Sequence, residues 1–314
     1  MRTYVTAIES DLGAGIPGQK EGVNTLCAKA LRSGLFKDFT KFTSPRLTRL
    51  TEPKPKTKSK HIASIASLLR CITKHVALSA DPGVFSLFLT GDHSSAAGIV
   101  AGLKQAYPNS RLGLVWIDAH ADIHTPQSSP SGNMHGMPLA IALGLQNAKP
   151  CDTKIKPISR QEDNLWQNLL TLGGKGPNVD ALDLIYIGLR SFEPAEQQHM
   201  LRYNIPHITS QQLRQIGIQA ALYQINKQLS ACDKWFVSFD IDALDQKYVP
   251  GTGTPEPKGI SKNEAIALNN ALVKDARTIA WELTEFNPTF DKNNITLDFA
   301  FECLRNTFEA CLNK

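Results

Sequence analysis

Short apolar runs that alternate with longer amphipathic segments constrain the fold of this chain most strongly. Six runs rich in Val, Ile, Leu and Phe have the length and composition of buried strands: 4–8, 85–89, 112–117, 184–187, 235–239 and 278–283. Apolar residues at helical spacing occupy 26–35, 61–76, 94–106, 211–229, 262–272 and 295–312. This repeated order predicts one α/β domain over residues 1–314, with a mostly parallel sheet and helices on both faces.

Composition excludes several classes of protein. Of 314 residues, 42% are hydrophobic and 20% are charged, values that exclude wholesale disorder. The formal charge of +5 and the lack of any basic block beyond one lysine cluster do not favour a nucleic-acid partner. No stretch approaches the roughly 20 apolar residues that span a bilayer, and Glu9 and Asp11 interrupt the N-terminus where a signal peptide is apolar. We therefore predict no membrane partner and a cytoplasmic location.

Two polar segments are predicted to lie on the surface. Residues 53–60 read PKPKTKSK, which predicts a solvated loop, with an anion-binding patch as the alternative. Residues 149–176 are polar and contain three glycines, but they lack the GxxxxGK[ST] pattern of a phosphate-binding loop.

Acidic and histidine side chains follow three of the predicted strands. The three strand ends read TGDHS at 90–94, DAHAD at 118–122 and SFDID at 238–242. In parallel sheets, ligands bind outside the carboxyl ends of the strands. Asp118, His120 and Asp122 have the i, i+2, i+4 spacing that an extended backbone places on one side, and Asp240 and Asp242 share a side likewise.

Such a concentration of buried carboxylates and imidazoles requires a compensating cation. Oxygen and nitrogen ligands without thiolate suit a hard or borderline divalent metal such as Mn²⁺. Six ligands, several of which can bridge, suit two metals about 3.5–4 Å apart. The sequence therefore predicts a binuclear metal site.

These motifs resemble the ureohydrolase family, which includes arginase, agmatinase and formimidoylglutamase. The matching pieces are TGDHS, DAHAD, SFDIDALD at 238–245, GTGTPEPKG at 251–259, ELTEFNP at 282–288 and GQKEGV at 18–23. Residues 122–139, through an SGNxHGxP segment, are most similar to arginases. The resemblance implies an α/β fold with a central parallel sheet of about eight strands and a homotrimer or homohexamer. It also implies hydrolysis of L-arginine, a small-molecule substrate, to L-ornithine and urea.

The resemblance implies a role for each site residue. The metal ligands would be His93, Asp118, His120, Asp122, Asp240 and Asp242, holding two Mn²⁺, although the same ligands accept Co²⁺ or Fe²⁺. Hydroxide between the metals would attack the guanidinium carbon. Asp122 would take its proton, His135 would shuttle a proton, and Glu285 would bind the guanidinium. The substrate-binding residues would be His124, Ser131, Asn133, Glu193, Glu196 and Thr254.

Several positions depart from the arginase pattern. His124 stands where arginases usually have Asn, and Glu193 replaces the usual Asp. Ser191 replaces an acidic residue in the same segment. The departures concentrate where the α-amino group of the substrate would be recognised.

Three alternatives remain at this stage. Residues 13–18 form a GxGxxG, with Asp38 at the spacing of a ribose contact, but Pro17 stands where a helix should already run. A metal-binding protein without catalysis would not need His135 and Glu285. A ureohydrolase acting on another guanidino or formimino compound, such as agmatine, a guanidino acid or formimidoylglutamate, would keep the same metal motifs.

Overall fold

A single sheet organises the chain. A computed structural model describes residues 2–36, 41–43, 58–147 and 158–314. The strands in this part of the chain are β1 Arg2–Ile8, β2 Lys41–Thr43, β3 Val84–Thr90, β4 Leu112–Ile117, β5 Leu184–Ile187, β6 His207–Ile208, β7 Lys234–Asp240 and β8 Thr278–Thr284. Their order is β2-β1-β3-β8-β7-β4-β5-β6, and the described pairings are parallel. The expected α/β fold with a parallel sheet of about eight strands is confirmed.

Helices connect the strands. They are α1 Gln19–Arg32, α2 Ile62–Ser79, α3 Ser95–Ala106, α4 Pro138–Ala142, α5 Arg160–Leu170, α6 Pro194–Arg202, α7 Ser210–Gln228, α8 Lys262–Lys274 and α9 Ile295–Leu312. The starts of α7 and α8 are fixed by capping boxes, Thr209 with Gln212 and Ser261 with Glu264, in which each side chain accepts the other residue's backbone N–H. The polar linkers therefore stop and start helices at defined residues.

The central strands are apolar on both sides because helices cover both faces of the sheet. All residues of β3 and β4 are buried, as expected for strands inside a parallel sheet. Along β4, Val115 and Ile117 face one hydrophobic core, whereas Leu114 and Trp116 face the other. This double cover leaves the strand ends as the places where polar side chains can gather.

Several helical predictions were wrong or incomplete. The segment 149–176 was expected to be a surface excursion, but α5 lies within it and buries Trp166 against the core, because Trp166, Leu169 and Leu170 form an apolar stripe. The short helices α4 and α6 and the edge strands β2 and β6 were not predicted. Residues 53–57 and 149–157 lie outside the described residues, as does Asp38.

Helix α2 bears on the expectation that no segment spans a membrane. By length and composition alone, Ile62–Ser79 is apolar enough to cross a bilayer. In the fold, half of this window is buried, and residues such as Leu69 and Ile72 belong to the same core as α3. Its apolar face is therefore used for packing within the protein.

Candidate metal and substrate site

The predicted site residues converge on one cleft at the carboxyl edge of the sheet. Strands β3, β8, β7 and β4 are neighbours, so the segments that follow them meet. The cleft encloses about 380 Å³. Predicted residues that line it are His120, Asp122, His124, Ser131, Asn133, His135, Glu193, Glu196, Asp240, Asp242, Thr254 and Glu285. The remaining two, His93 and Asp118, are buried beneath it.

His93 is the centre of the first group of candidate ligands. Its Nδ1 lies 3.1 Å from Asp118 Oδ2, 3.0 Å from Asp122 Oδ2 and 3.2 Å from Asp240 Oδ2. None of these contacts has hydrogen-bond geometry, and Nδ1 has no hydrogen-bond partner among the described residues. A buried nitrogen that converges with three carboxylate oxygens in this way fits a shared divalent cation.

His120 is the centre of the second group. Its Nδ1 lies 3.1 Å from Asp242 Oδ2 and 3.6 Å from Asp118 Oδ1. Asp118 therefore presents one oxygen to each group, the arrangement expected of a bridging carboxylate. The His93, Asp118 and Asp240 set and the Asp118, His120 and Asp242 set can each hold an ion.

The segment 118–122 reaches this geometry by a different backbone from the one expected. The strand β4 ends at Ile117, and Asp122 has a φ of +48°. The i, i+2, i+4 spacing therefore places the three side chains together through a sharp turn at Asp122, not through a continuing strand. The left-handed conformation is uncommon for a non-glycine residue and is found at functional sites.

Burial and like charges make the cluster costly without a cation. Burial raises the pKa of Asp240 well above its ordinary value, and the charges of Asp242 and Asp118 raise it further. Burial, followed by the charge of Asp118, raises the pKa of Asp122 to about 6. Divalent cations would offset this repulsion, since they favour the ionised carboxylates.

Three buried polar residues hold His93 from behind. Its Nε2 donates to Ser238 Oγ at 2.8 Å, and Ser238 Oγ donates to Glu282 Oε2 at 2.8 Å. The other Glu282 oxygen accepts from Thr90 at 2.7 Å. This chain leaves Nδ1 as the ligating atom. Sequence reasoning had assigned no role to Ser238 or Glu282, although a glutamate within an apolar strand was a detectable signal.

Glu285 and His135 form a buried pair beside the ligands. His135 Nδ1 lies 3.0 Å from Glu285 Oε1, which also accepts a hydrogen bond from the backbone N–H of His93 at 2.9 Å. Glu285 is only 1% exposed, so it is not a surface carboxylate at a strand end. Burial disfavours the His135 imidazolium, but the charges of Glu285, Asp122 and Asp92 outweigh it and raise the pKa of His135 to about 9.

Gln19 is a further residue that the sequence did not single out. Its Nε2 donates to Glu285 Oε2 at 3.1 Å, and the side chain is buried. It is the first residue of α1 and follows the turn at 13–18. Together with His135, it fixes both oxygens of the Glu285 carboxylate.

The GxGxxG turn packs against the metal-site loop. The Gly13 N–H donates to Asp92 Oδ2 at 3.1 Å, and a Cβ on Gly13 would lie 2.4 Å from Asp92 Oδ1. Asp92 is itself fully buried and accepts the Ser94 N–H at 3.0 Å. The glycines thus allow a close approach between loops, which supports the turn interpretation over a dinucleotide site.

A third group of ligand-type side chains lies on one side of the cleft. His124 Nε2 is 2.6 Å from Glu193 Oε2 and 3.5 Å from Glu196 Oε2. Glu196 also accepts the backbone N–H of Glu193 at 3.0 Å, at the start of α6. Burial and the nearby Glu193 raise the pKa of Glu196 to about 9.

The remaining predicted contacts lie elsewhere around the cleft. Ser131 and Asn133 lie in the loop before α4, where Ser131 Oγ accepts the Asn133 N–H at 3.2 Å. Thr254 donates to Asp242 Oδ2 at 2.9 Å, so it contacts a candidate ligand directly. Glu256, which was not predicted, accepts from Ser191 at 2.9 Å and lies 3.8 Å from His120 Nε2.

Fold and site together define an α/β protein with a candidate binuclear metal centre at the carboxyl edge of its sheet. Comparison with known proteins identifies the family. The Arginase family model matches residues 2–309, and the chain belongs to this family. Membership makes the protein an amidinohydrolase enzyme and implies a binuclear metal centre.

Individual relatives agree with this assignment. The arginase of Entamoeba histolytica is 32% identical over 265 residues, which are 82% of this chain and 82% of that protein. The arginase of Bacillus subtilis is 33% identical over 222 residues, 71% of this chain and 68% of that protein. A crystal structure of the Entamoeba histolytica arginase with L-ornithine has a TM-score of 0.84 and 28% identity, covering 98% of this chain and 97% of that one.

Proposed function

We propose that the protein hydrolyses the guanidinium group of L-arginine to L-ornithine and urea, with Mn²⁺ as the metal. The observation that carries this proposal is one cleft that joins three kinds of group. It contains the carboxylate–histidine cluster, the buried His135–Glu285 pair and a loop with Ser131 and Asn133. This reaction needs bound cations, a group that anchors the guanidinium, and groups that donate hydrogen bonds to the substrate carboxylate.

The candidate ligands divide into two overlapping sets. His93, Asp118, Asp122 and Asp240 would hold one cation, and Asp118, His120, Asp240 and Asp242 would hold the other. Two bound divalent cations would lower the pKa of a water and so supply a nucleophile near neutral pH. The O/N ligand set accepts Mn²⁺ and also Co²⁺ or Fe²⁺.

Glu285 and His135 would act on the guanidinium. The Glu285 carboxylate, held by Gln19 and by the His93 N–H, would accept guanidinium N–H bonds and keep the guanidinium carbon over the metal ligands. The His135 imidazole would shuttle a proton toward the departing amino group, while Asp122 would accept the proton released by the attacking water. Thr254 would lie beside the guanidinium.

The two sides of the cleft suit the two charges of an amino acid. Hydroxyl and amide groups of Ser131 and Asn133 would donate to the α-carboxylate. The Glu193 carboxylate would accept from the α-ammonium group, and Glu196 would offer it a carboxyl oxygen. We also propose that the enzyme is cytoplasmic and assembles as a homotrimer or homohexamer.

Urea release tests this function. The protein would be loaded with Mn²⁺ and given L-arginine or agmatine, which lacks the carboxylate, with an EDTA-treated sample as the control. We expect EDTA-sensitive urea release from L-arginine and far less from agmatine. Preference for agmatine would refute the recognition of the carboxylate, and no urea from either compound would refute the proposed reaction.

A further inference from the structure

Residues 58–60 lie against the loop that carries Ser131 and Asn133. The Lys60 N–H donates to Gly132 O at 2.8 Å. Gly132 has a φ of +72°, and a Cβ on it would lie 2.1 Å from Lys58 O. Only glycine permits this backbone contact. The segment that ends the lysine-rich stretch is therefore packed against the loop whose Ser131 and Asn133 line the cleft.

Ser59 anchors this segment from the opposite side. Its backbone N–H and its hydroxyl both donate to Glu162 Oε1, at 2.5 and 2.6 Å. Ser59 is 0% and Glu162 3% exposed. Charge-assisted hydrogen bonds to a buried carboxylate are strong, so the backbone position of Lys60 is held independently of its side chain.

The Lys60 side chain reaches the carboxylate-reading loop. Its Nζ donates to Asn133 Oδ1 at 2.8 Å. Because an ammonium only donates, the Asn133 amide oxygen faces Lys60, and its Nδ2 stays available as a donor. No carboxylate of the described residues forms an ion pair with Lys60. The ammonium therefore keeps donors, and no carboxylate in the described part of the chain neutralises its charge beside Asn133.

We propose that Lys60 is a specificity-determining residue, which favours ligands with a carboxylate at the end remote from the guanidinium. This inference rests on the proposed function and extends it to a residue outside the known motifs of the chain. Ser131 and Asn133 line a donating side of the cleft, and Lys60 adds a positive charge to it through its contact with Asn133. Glu193, whose pKa is lowered, gives the opposite side an accepting, negative group, so the charges of an α-amino acid match the two sides.

Binding measurements separate this role from a general structural one. L-Ornithine carries the α-carboxylate, whereas putrescine is the same diamine without it. Calorimetric titration of the Mn²⁺-loaded protein would compare both ligands in native protein, Lys60→Met and Lys60→Arg. Lys74→Met, which changes an exposed lysine on α2, is the matched control.

We expect Lys60→Met to weaken L-ornithine binding about three- to ten-fold and to leave putrescine binding within about two-fold. Lys60→Arg should keep most of the L-ornithine affinity, and added salt should weaken L-ornithine binding in native protein more than in Lys60→Met. Unchanged L-ornithine affinity, equal loss for both ligands, or no binding of either ligand by native protein would overturn the inference. Lys60-dependent L-ornithine binding without urea release would refute the proposed function alone.

Discussion

His124 Nε2 lies 2.6 Å from Glu193 Oε2, so the two recognition residues that depart from the arginase pattern contact each other. Burial alone would raise the pKa of Glu193. Its hydrogen bonds to Glu196 and His124, together with the nearby charge of His124, outweigh burial and lower that pKa. An imidazole at position 124 thus has a partner that reaches it through the extra methylene of Glu. The two substitutions form one structural unit.

A double-mutant cycle on L-arginine KM tests this unit. We expect His124→Asn and Glu193→Asp each to raise KM, and the double variant to raise it less than the product of the single effects. The coupling should be about 0.5–1 kcal/mol, roughly two- to five-fold in KM, because Glu193 is half exposed. A control cycle of His124→Asn with Glu256→Asp, which does not contact His124, should be additive. Additivity in the first cycle would contradict the coupling.

Substitutions at the metal cluster should change metal content, whereas substitutions in the loop that carries Asn133 should change substrate affinity alone. His120→Ala should lose metal and activity together, because its Nδ1 converges with Asp242 and Asp118. Asn133→Ala is the matched control and should keep both metals while mainly raising KM for L-arginine. Elemental analysis of the purified variants and steady-state kinetics would measure this. Two retained metals in His120→Ala would exclude it as a ligand.

The sequence predicted the centre of the sheet well and its edges poorly. All six predicted strands were found because each is mostly buried and consists mainly of apolar residues, as β4 does from Leu112 to Ile117. The strands β2 and β6 have only 3 and 2 residues. A segment of that length has no periodicity to detect.

Within the site, the sequence identified the side chains but not what holds them. The motifs named the residues of the cleft because strand ends collect ligands in parallel sheets. The support of His93 by Ser238 and Glu282 depends on parallel register between β7 and β8, where these two residues are opposite each other. Sequence spacing gives no such register for residues 44 positions apart. The contact between Lys60 and Asn133 depends on the fold in the same way.

His135 should affect turnover more than metal binding. Its imidazole contacts Glu285, and it belongs to neither group of candidate metal ligands among the described residues. We expect His135→Ala to lower kcat about 10²–10⁴-fold, the range typical of a lost general acid or base, with both metals in place. Kinetics and metal analysis of the same sample would check this. Full activity in His135→Ala would remove His135 from the mechanism.

Arg190 should be the main support of the loop that carries Asp242. Its guanidinium donates to the carbonyl oxygens of Gly188, Asp242, Ala243, Leu244, Glu256 and Pro257 at 2.8–3.2 Å. Arg190→Met should lower the free energy of unfolding by about 2–4 kcal/mol and weaken metal binding about ten-fold or more, because these carbonyls lose their donors.

Denaturant unfolding and metal titration would measure both effects of Arg190. Lysine has only three donors, so Arg190→Lys should restore only part of the stability. Arg70→Met, on the exposed side of α2, should change the free energy of unfolding by less than about 0.5 kcal/mol. An equally small change in Arg190→Met would refute the supporting role.

Glu196 should make the free energy of unfolding of the metal-free protein depend on pH. Burial and Glu193 raise its pKa from 4.5 to about 9. A raised folded-state pKa stabilises the folded form fully below about pH 4.5, and this stabilisation is lost as the pH rises toward about 9. Glu196→Gln removes that titration. The free energy of unfolding of this variant, relative to that of native protein, should therefore increase from pH 5 to pH 8 by at most about 1.4 kcal/mol per pH unit.

Urea unfolding with EDTA present would measure this dependence, with Glu302→Gln, which changes an exposed carboxyl on α9, as the control. Parallel pH curves for native protein and Glu196→Gln would show that Glu196 is ionised in the folded state across this range.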